Sequence, residues 1–184
     1  MLGKPIFKQF IKSEYLKDIL GRLEDEVGTV FSFYKKFNTK SQKRGGRYIG
    51  FWSGARLLFP IIEAVSSIIG KSKWDFLAQD LGIKPSSLTF QMFRNSLAHG
   101  DILVYAKNNQ KIVRWGLFLD NKQHKIGNGQ IYIDLLTLYD DLRNFLIKEI
   151  AKKDTSLIGV HYGTDYTQEK DPKAKAIIDE INKI

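Results

Sequence analysis

Three stretches of this chain place apolar residues at three- and four-residue steps, and that period restricts the fold to one built largely of helices. From Ile6 to Val27 the positions Ile6, Phe7, Phe10, Ile11, Tyr15, Leu16, Ile19, Leu20 and Leu23 share one helical face. The segment Tyr48 to Ile69 is apolar on more than one side, as expected of a central buried helix, and Pro60 should kink or divide it. Gly70 is placed to cap its end. The third stripe comprises Leu135, Leu138, Tyr139, Leu142, Phe145, Leu146 and Ile150, with Asp134 positioned to cap the helix that carries it.

Between these stripes the pattern is shorter. Gly28 to Phe37 either extends the first helix or starts another, and a short helix is expected around Trp74 to Leu81. After Pro85, Ser86 or Ser87 can cap a helix from about Leu88 to His99, with Gly100 stopping it. Two β-type runs, Ile102 to Ala106 and Lys111 to Leu119, flank Asn108-Asn109 and predict a hairpin over about 102–119. A polar loop, Asp120 to Gly129, leads to a brief run at Gln130 to Ile133. Residues 1–153 thus form one mainly α domain, and 154–184 form a tail in which Ala174 to Ile184 can be a last helix.

The 184 residues contain no Cys, which excludes disulfides, thiolate metal sites and cysteine nucleophiles and leaves a reducing cytoplasm as the expected compartment. No run is apolar and long enough to span a bilayer, and Met1 to Phe10 lacks the pattern of a secretory leader, so a soluble protein with no membrane partner is expected. The formal charge is +9. A basic chain favours polyanions such as RNA, because lysine and arginine release counterions at phosphates. Lys35 to Arg47 concentrates that charge: Lys40, Lys43, Arg44 and Arg47 join Lys35 and Lys36 around Gly45-Gly46 with no acidic residue, forming a basic loop that either contacts phosphate or is simply solvated.

Nucleotide-binding glycine loops, the nucleophile elbow and the zinc-protease helix are all missing. No metal site or cofactor is indicated. His124 and His161 lie in polar, glycine-flanked segments and read as solvated loop histidines. His99 has different company, since Arg94 and Asn95 precede it on a segment whose Phe90, Phe93 and Leu97 face the core. On an ideal helix Arg94 and His99 sit about 140° apart, so they converge only if the helix ends near Ala98 or a second chain completes the site. A histidine in a last helical turn is also favoured by the helix dipole alone, which is the plain structural explanation.

The string Arg94-Asn95-Ser96-Leu97-Ala98-His99-Gly100 resembles the Arg-x4-6-His signature of the HEPN superfamily, and Phe51 to Glu63 is similar to that family's preceding core helix. The resemblance implies a HEPN-like helical bundle with the β-hairpin as an insertion after the motif helix. It implies metal-independent RNA cleavage, with His99 moving a proton, Arg94 stabilising phosphoryl charge, Asn95 orienting His99 or touching phosphate, and Glu63 holding Arg94. It also suggests a homodimer, a toxin or phage-defence setting, and an antitoxin or regulatory protein as partner. Asp101 replaces the tyrosine of the His-x-Tyr extension, which argues against an antitoxin of the nucleotidyltransferase kind. The alternatives are a non-catalytic HEPN module binding RNA or nucleotide, and a structural helical interaction domain.

Overall fold

In the computed structural model, which describes residues 4–34, 51–84, 86–90, 105–108, 111–118, 123–165, 176 and 179–180, the apolar stripes converge on one helical core. Among the described residues the chain is mainly α, with two small sheets. Helix α1, Lys12–Arg22, continues without a break into a π-helical turn, Leu23–Gly28, and helical residues 29–34, so the segment after Gly28 extends the first helix. Helix α2, Phe51–Ile68, runs straight through Pro60. Pro60 is exposed, so the carbonyl it deprives of a backbone donor lies on the solvent side and the helix need not divide. Gly70 adopts φ +72°, and Lys71 N–H reaches back to the Ser66 carbonyl at 2.9 Å, closing the helix end as expected.

Helix α3, Lys73–Asp75, passes into a second π-helical turn, Phe76–Asp80. Helix α4, Ser86–Phe90, starts two residues before the expected Leu88. After it come strands β2, Tyr105–Asn108, and β3, Lys111–Phe118, which pair antiparallel from Tyr105↔Arg114 to Asn108↔Lys111. The two strands of the expected hairpin are present and paired.

The loop expected at 120–129 contains a further strand. Strand β4, Lys125–Gly127, turns through Asn128 and Gly129 (φ +49° and +72°) into β5, Gln130–Asp134. Both central residues are left-handed, the conformation that Asn-Gly supplies at least cost in a two-residue hairpin. Strand β5 pairs antiparallel with β4 and parallel with β3, so the sheet order is β2-β3-β5-β4. Asp134 ends β5 and caps helix α5, Leu135–Ala151, accepting the Thr137 N–H at 2.9 Å.

Two expectations at the chain ends are corrected. Residues 4–11 form strand β1, Lys4–Ile11, and not the first turns of a helix; β6, Leu157–Asp165, occupies the supposed tail and pairs antiparallel with it from Ile11↔Leu157 outward. The switch from strand to helix is fixed by tertiary contacts. Helix α1 has no side-chain cap; instead the Lys12 and Ser13 N–H groups donate to the Ser156 and Asp154 carbonyls at 2.9 and 3.0 Å. Asp154 in turn is held to about pKa 2 by the Ser156 N–H and hydroxyl and by Lys12, whose Nζ lies 3.1 Å away.

Helices α1, α2 and α5 bury the core, which includes Leu16, Leu23, Phe59, Ile62, Leu138 and Leu142, with Phe76 of the second π turn edge-on to Phe145. Gly54 allows the closest approach. A Cβ there would lie 2.3 Å from Phe31 Cε1, so only glycine lets α2 meet the end of the first helix.

Candidate functional site

Glu63 is the one expected site residue that lies within the described part of the chain. Arg94, Asn95 and His99 fall in 91–100, and Lys40, Lys43, Arg44 and Arg47 fall in 35–50, all outside it. Glu63 sits on α2 three residues beyond Pro60 and is half-buried. Its Oε1 accepts from Lys73 Nζ at 2.5 Å. The Lys73 ammonium also lies 5.0 Å from the ring centroids of both Trp74 and Phe90, an arrangement in which the ring faces attract the cation.

These contacts gather around Phe90. Phe90 of α4 is fully buried and edge-on to Phe59 of α2 at 5.6 Å and to Trp74 at 5.2 Å. Three residues separate Phe90 from Arg94. Thus Glu63, Lys73, Trp74 and Phe90 form one charged and aromatic cluster. Lys73 was not anticipated. Its only sequence mark is its place directly after Ser72, whose side chain caps α3 by accepting the Asp75 N–H at 3.1 Å, and nothing local points to Glu63 ten residues earlier.

The other histidines differ from expectation. His161 lies in strand β6, exposed, with its ring 5.8 Å from Phe7. His124 is not a solvated loop side chain but half-buried against the β5–α5 junction. Its Nδ1 accepts the Asp134 N–H at 3.0 Å, which puts the proton of the neutral ring on Nε2, and that atom is buried with no hydrogen-bond partner among the described residues. Burial lowers the His124 pKa below its ordinary 6.5, although the nearby Asp141 and Asp134 carboxylates pull the other way. Burial in turn raises Asp141.

Two open clefts flank the first helix. One, of about 240 Å³ between α1 and α2, is lined by Ile19, Leu57, Pro60 and Ile61 and rimmed by Arg22 and Arg56. The second, of about 280 Å³, lies where the π turn meets α5 and holds the Tyr139 hydroxyl between Glu24 and Asp140. Burial is the main cause that pushes Tyr139 up, and Glu24 adds to it while forming an ion pair with Arg143 at 2.6 Å.

No family model matches the chain, and no curated protein or solved structure matches it. Among the described residues no three His, Asp or Glu side chains gather as metal ligands, and no single helix is long and apolar enough to cross a membrane.

Proposed function

We propose that this chain is a metal-independent endoribonuclease of the HEPN type. The observation that carries the reading is the string Arg94-Asn95-Ser96-Leu97-Ala98-His99-Gly100, which combines a titratable imidazole with a permanent cation five residues away. In this reading Glu63, which pairs with Lys73 on α2's flank, also holds Arg94.

In this reading the 2′-hydroxyl oxygen attacks the adjacent phosphorus, the bond to the 5′-oxygen breaks, and a 2′,3′-cyclic phosphate and a free 5′-hydroxyl result. One proton leaves the 2′-hydroxyl and one reaches the departing oxygen. An imidazole with an ordinary pKa of about 6.5 suits either transfer near neutrality. The Arg94 guanidinium stabilises the charge that builds on the phosphoryl oxygens. Each chain offers a single histidine in this setting, so a two-fold homodimer supplies the second. The basic loop with Lys40, Lys43, Arg44 and Arg47 holds the RNA backbone, and a toxin or phage-defence role under an antitoxin or regulatory protein fits such an activity.

The test is cleavage of RNA by the purified chain in EDTA, with end-group analysis for the cyclic phosphate. His99→Ala should abolish cleavage, and Arg94→Ala should lower its rate by about 10²- to 10³-fold. A requirement for added divalent metal, or full activity in His99→Ala, would overturn the mechanism.

A further inference from the structure

The cleft between α1 and α2 is a groove with a helix along each wall. Ile19, Arg22 and Glu26 recur at three- and four-residue steps along the first helix and its π turn, and Leu57, Pro60, Ile61 and Ala64 do so along α2, so both rows run lengthwise. At 1.5 Å per residue each row covers about 10 Å, or two helical turns. The floor is aliphatic: Ile19 is buried, Leu57 and Ile61 are half-buried, and Pro60 and Ala64 are exposed.

Two arginines stand at its rim. Arg22 and Arg56 come from opposite walls, both are exposed, and among the described residues no carboxylate pairs with either. Glu26 follows Arg22 at the four-residue spacing that commonly yields an ion pair, yet no such pair forms. By contrast Lys12, Lys71, Lys73 and Arg143 each hold a carboxylate. The two guanidinium groups are therefore open to an anionic occupant, while the floor calls for aliphatic ones. That combination discriminates between ligands. A single nucleic-acid strand is held by stacking its bases on flat rings, and no aromatic side chain lines this groove. A helix with an aliphatic stripe flanked by carboxylates meets both demands, since the stripe fills a floor two turns long and each carboxylate can accept two N–H groups from a guanidinium. Glu26 is carried by the π turn, a local irregularity that recurs in helices at functional sites.

We infer that the α1–α2 groove docks an acidic amphipathic helix of a partner protein, with aliphatic side chains of that helix on Ile19, Leu57 and Ile61 and its carboxylates on Arg22 and Arg56. The inference does not rest on RNA cleavage. It asks only that the groove take such a helix, whatever Arg94 and His99 do. A contact two turns long is far smaller than the interface of a permanent complex, so this segment alone binds weakly.

Fluorescence anisotropy with labelled helical peptides tests it. The probe carries leucines at i, i+4 and i+7 flanked by glutamates. One comparison peptide replaces the glutamates by lysines, and another scrambles the order, keeping the charge that a chain of net charge +9 attracts regardless of shape. The Leu/Glu helix should bind the natural chain about tenfold or more tighter than either comparison peptide. Arg22→Glu/Arg56→Glu changes two exposed positions and should reverse the preference in favour of the Leu/Lys helix. Ala64→Phe fills the groove without altering charge and should lose affinity for the Leu/Glu helix. No binding at up to about 1 mM chain, equal binding of the scrambled peptide, or an affinity unmoved by either variant would each overturn the inference. If the peptide fails to bind while a single-stranded RNA probe loses affinity in Arg22→Glu/Arg56→Glu, the rim belongs to nucleic acid instead. The His99→Ala chain should bind the Leu/Glu helix as the natural chain does, and cleavage is measured separately in EDTA, so failure of either proposal leaves the other standing.

Discussion

The core contact at Gly54 and the outer face of the ribbon are both built from aromatic and aliphatic side chains, yet they end in opposite states. At Gly54, α2 approaches so closely that Phe31 occupies the space of a missing side chain, and Phe31 is itself locked edge-on against Tyr139 at 5.7 Å. On the ribbon, Phe7 rests beside another glycine, Gly159, with most of its ring in water. Apolar content therefore does not decide burial. What decides it is whether a second element arrives, and between these extremes the β4–β5 hairpin shows an intermediate case, its base closed by the Asp134 N–H donating to Nδ1 of half-buried His124.

The largest effect should come from filling the tight contact. Alanine at a helical glycine gains about 1 kcal/mol of propensity, whereas overpacking a rigid core costs about 1–3 kcal/mol. With a Cβ 2.3 Å from a ring carbon that is only 3% exposed and cannot swing away, the steric cost exceeds the gain. Gly54→Ala should lower the urea midpoint. Gly21→Ala provides the contrast, because a Cβ there meets nothing within 4 Å, and it should raise stability by about 0.5–1 kcal/mol. A stabilising Gly54→Ala would mean that Phe31 is free to move and that the core contact is no tighter than the ribbon.

The same contrast explains which features were legible beforehand. Helices α2 and α5, the Gly70 stop and the Asp134 cap follow from periodicity and local hydrogen-bonding chemistry, so they appear in the sequence itself. Strand β1 does not, because Ile6, Phe7, Phe10 and Ile11 satisfy a helical spacing as well as a two-sided strand. The decision is made by the Asp154 and Ser156 carbonyls, more than 140 residues away, which cap α1 at Lys12 and Ser13. Strand β4 was hidden for a different reason: Asn128-Gly129 is a local hairpin signal, but the polar residues around it resembled a loop. Of the candidate site, the Arg94–Gly100 string is legible only as a string. The Lys73 partner of Glu63 depends on how α3 folds back on α2 and has no counterpart in local spacing.

A smaller effect, on pH dependence, tests the intermediate region. His124 is lowered in the fold because its ring is buried and its Nδ1 lone pair is already used; protonation there would set two N–H groups against each other at Asp134. A depressed histidine binds its proton less readily folded than unfolded. Its contribution is therefore complete above the ordinary value of 6.5 and is lost as pH falls from there through the depressed pKa. Asp141, raised by burial, acts in the opposite sense and lower, between its raised value and the ordinary 3.8. Urea midpoints taken between about pH 7 and 5 should fall more steeply for the natural chain than for His124→Gln, which cannot titrate. Parallel curves would show that the His124–Asp134 hydrogen bond contributes little to the stability of the hairpin.

The smallest effect is expected at Phe7. A side chain left 60% exposed contributes little to the fold, so Phe7→Ser should shift the stability by no more than the change of about 0.5 kcal/mol typical of surface positions, read as a Tm. Should Phe7→Ser instead destabilise the chain as strongly as Gly54→Ala, Phe7 would belong to the core, and the distinction between a face that is filled and a face left open would fail.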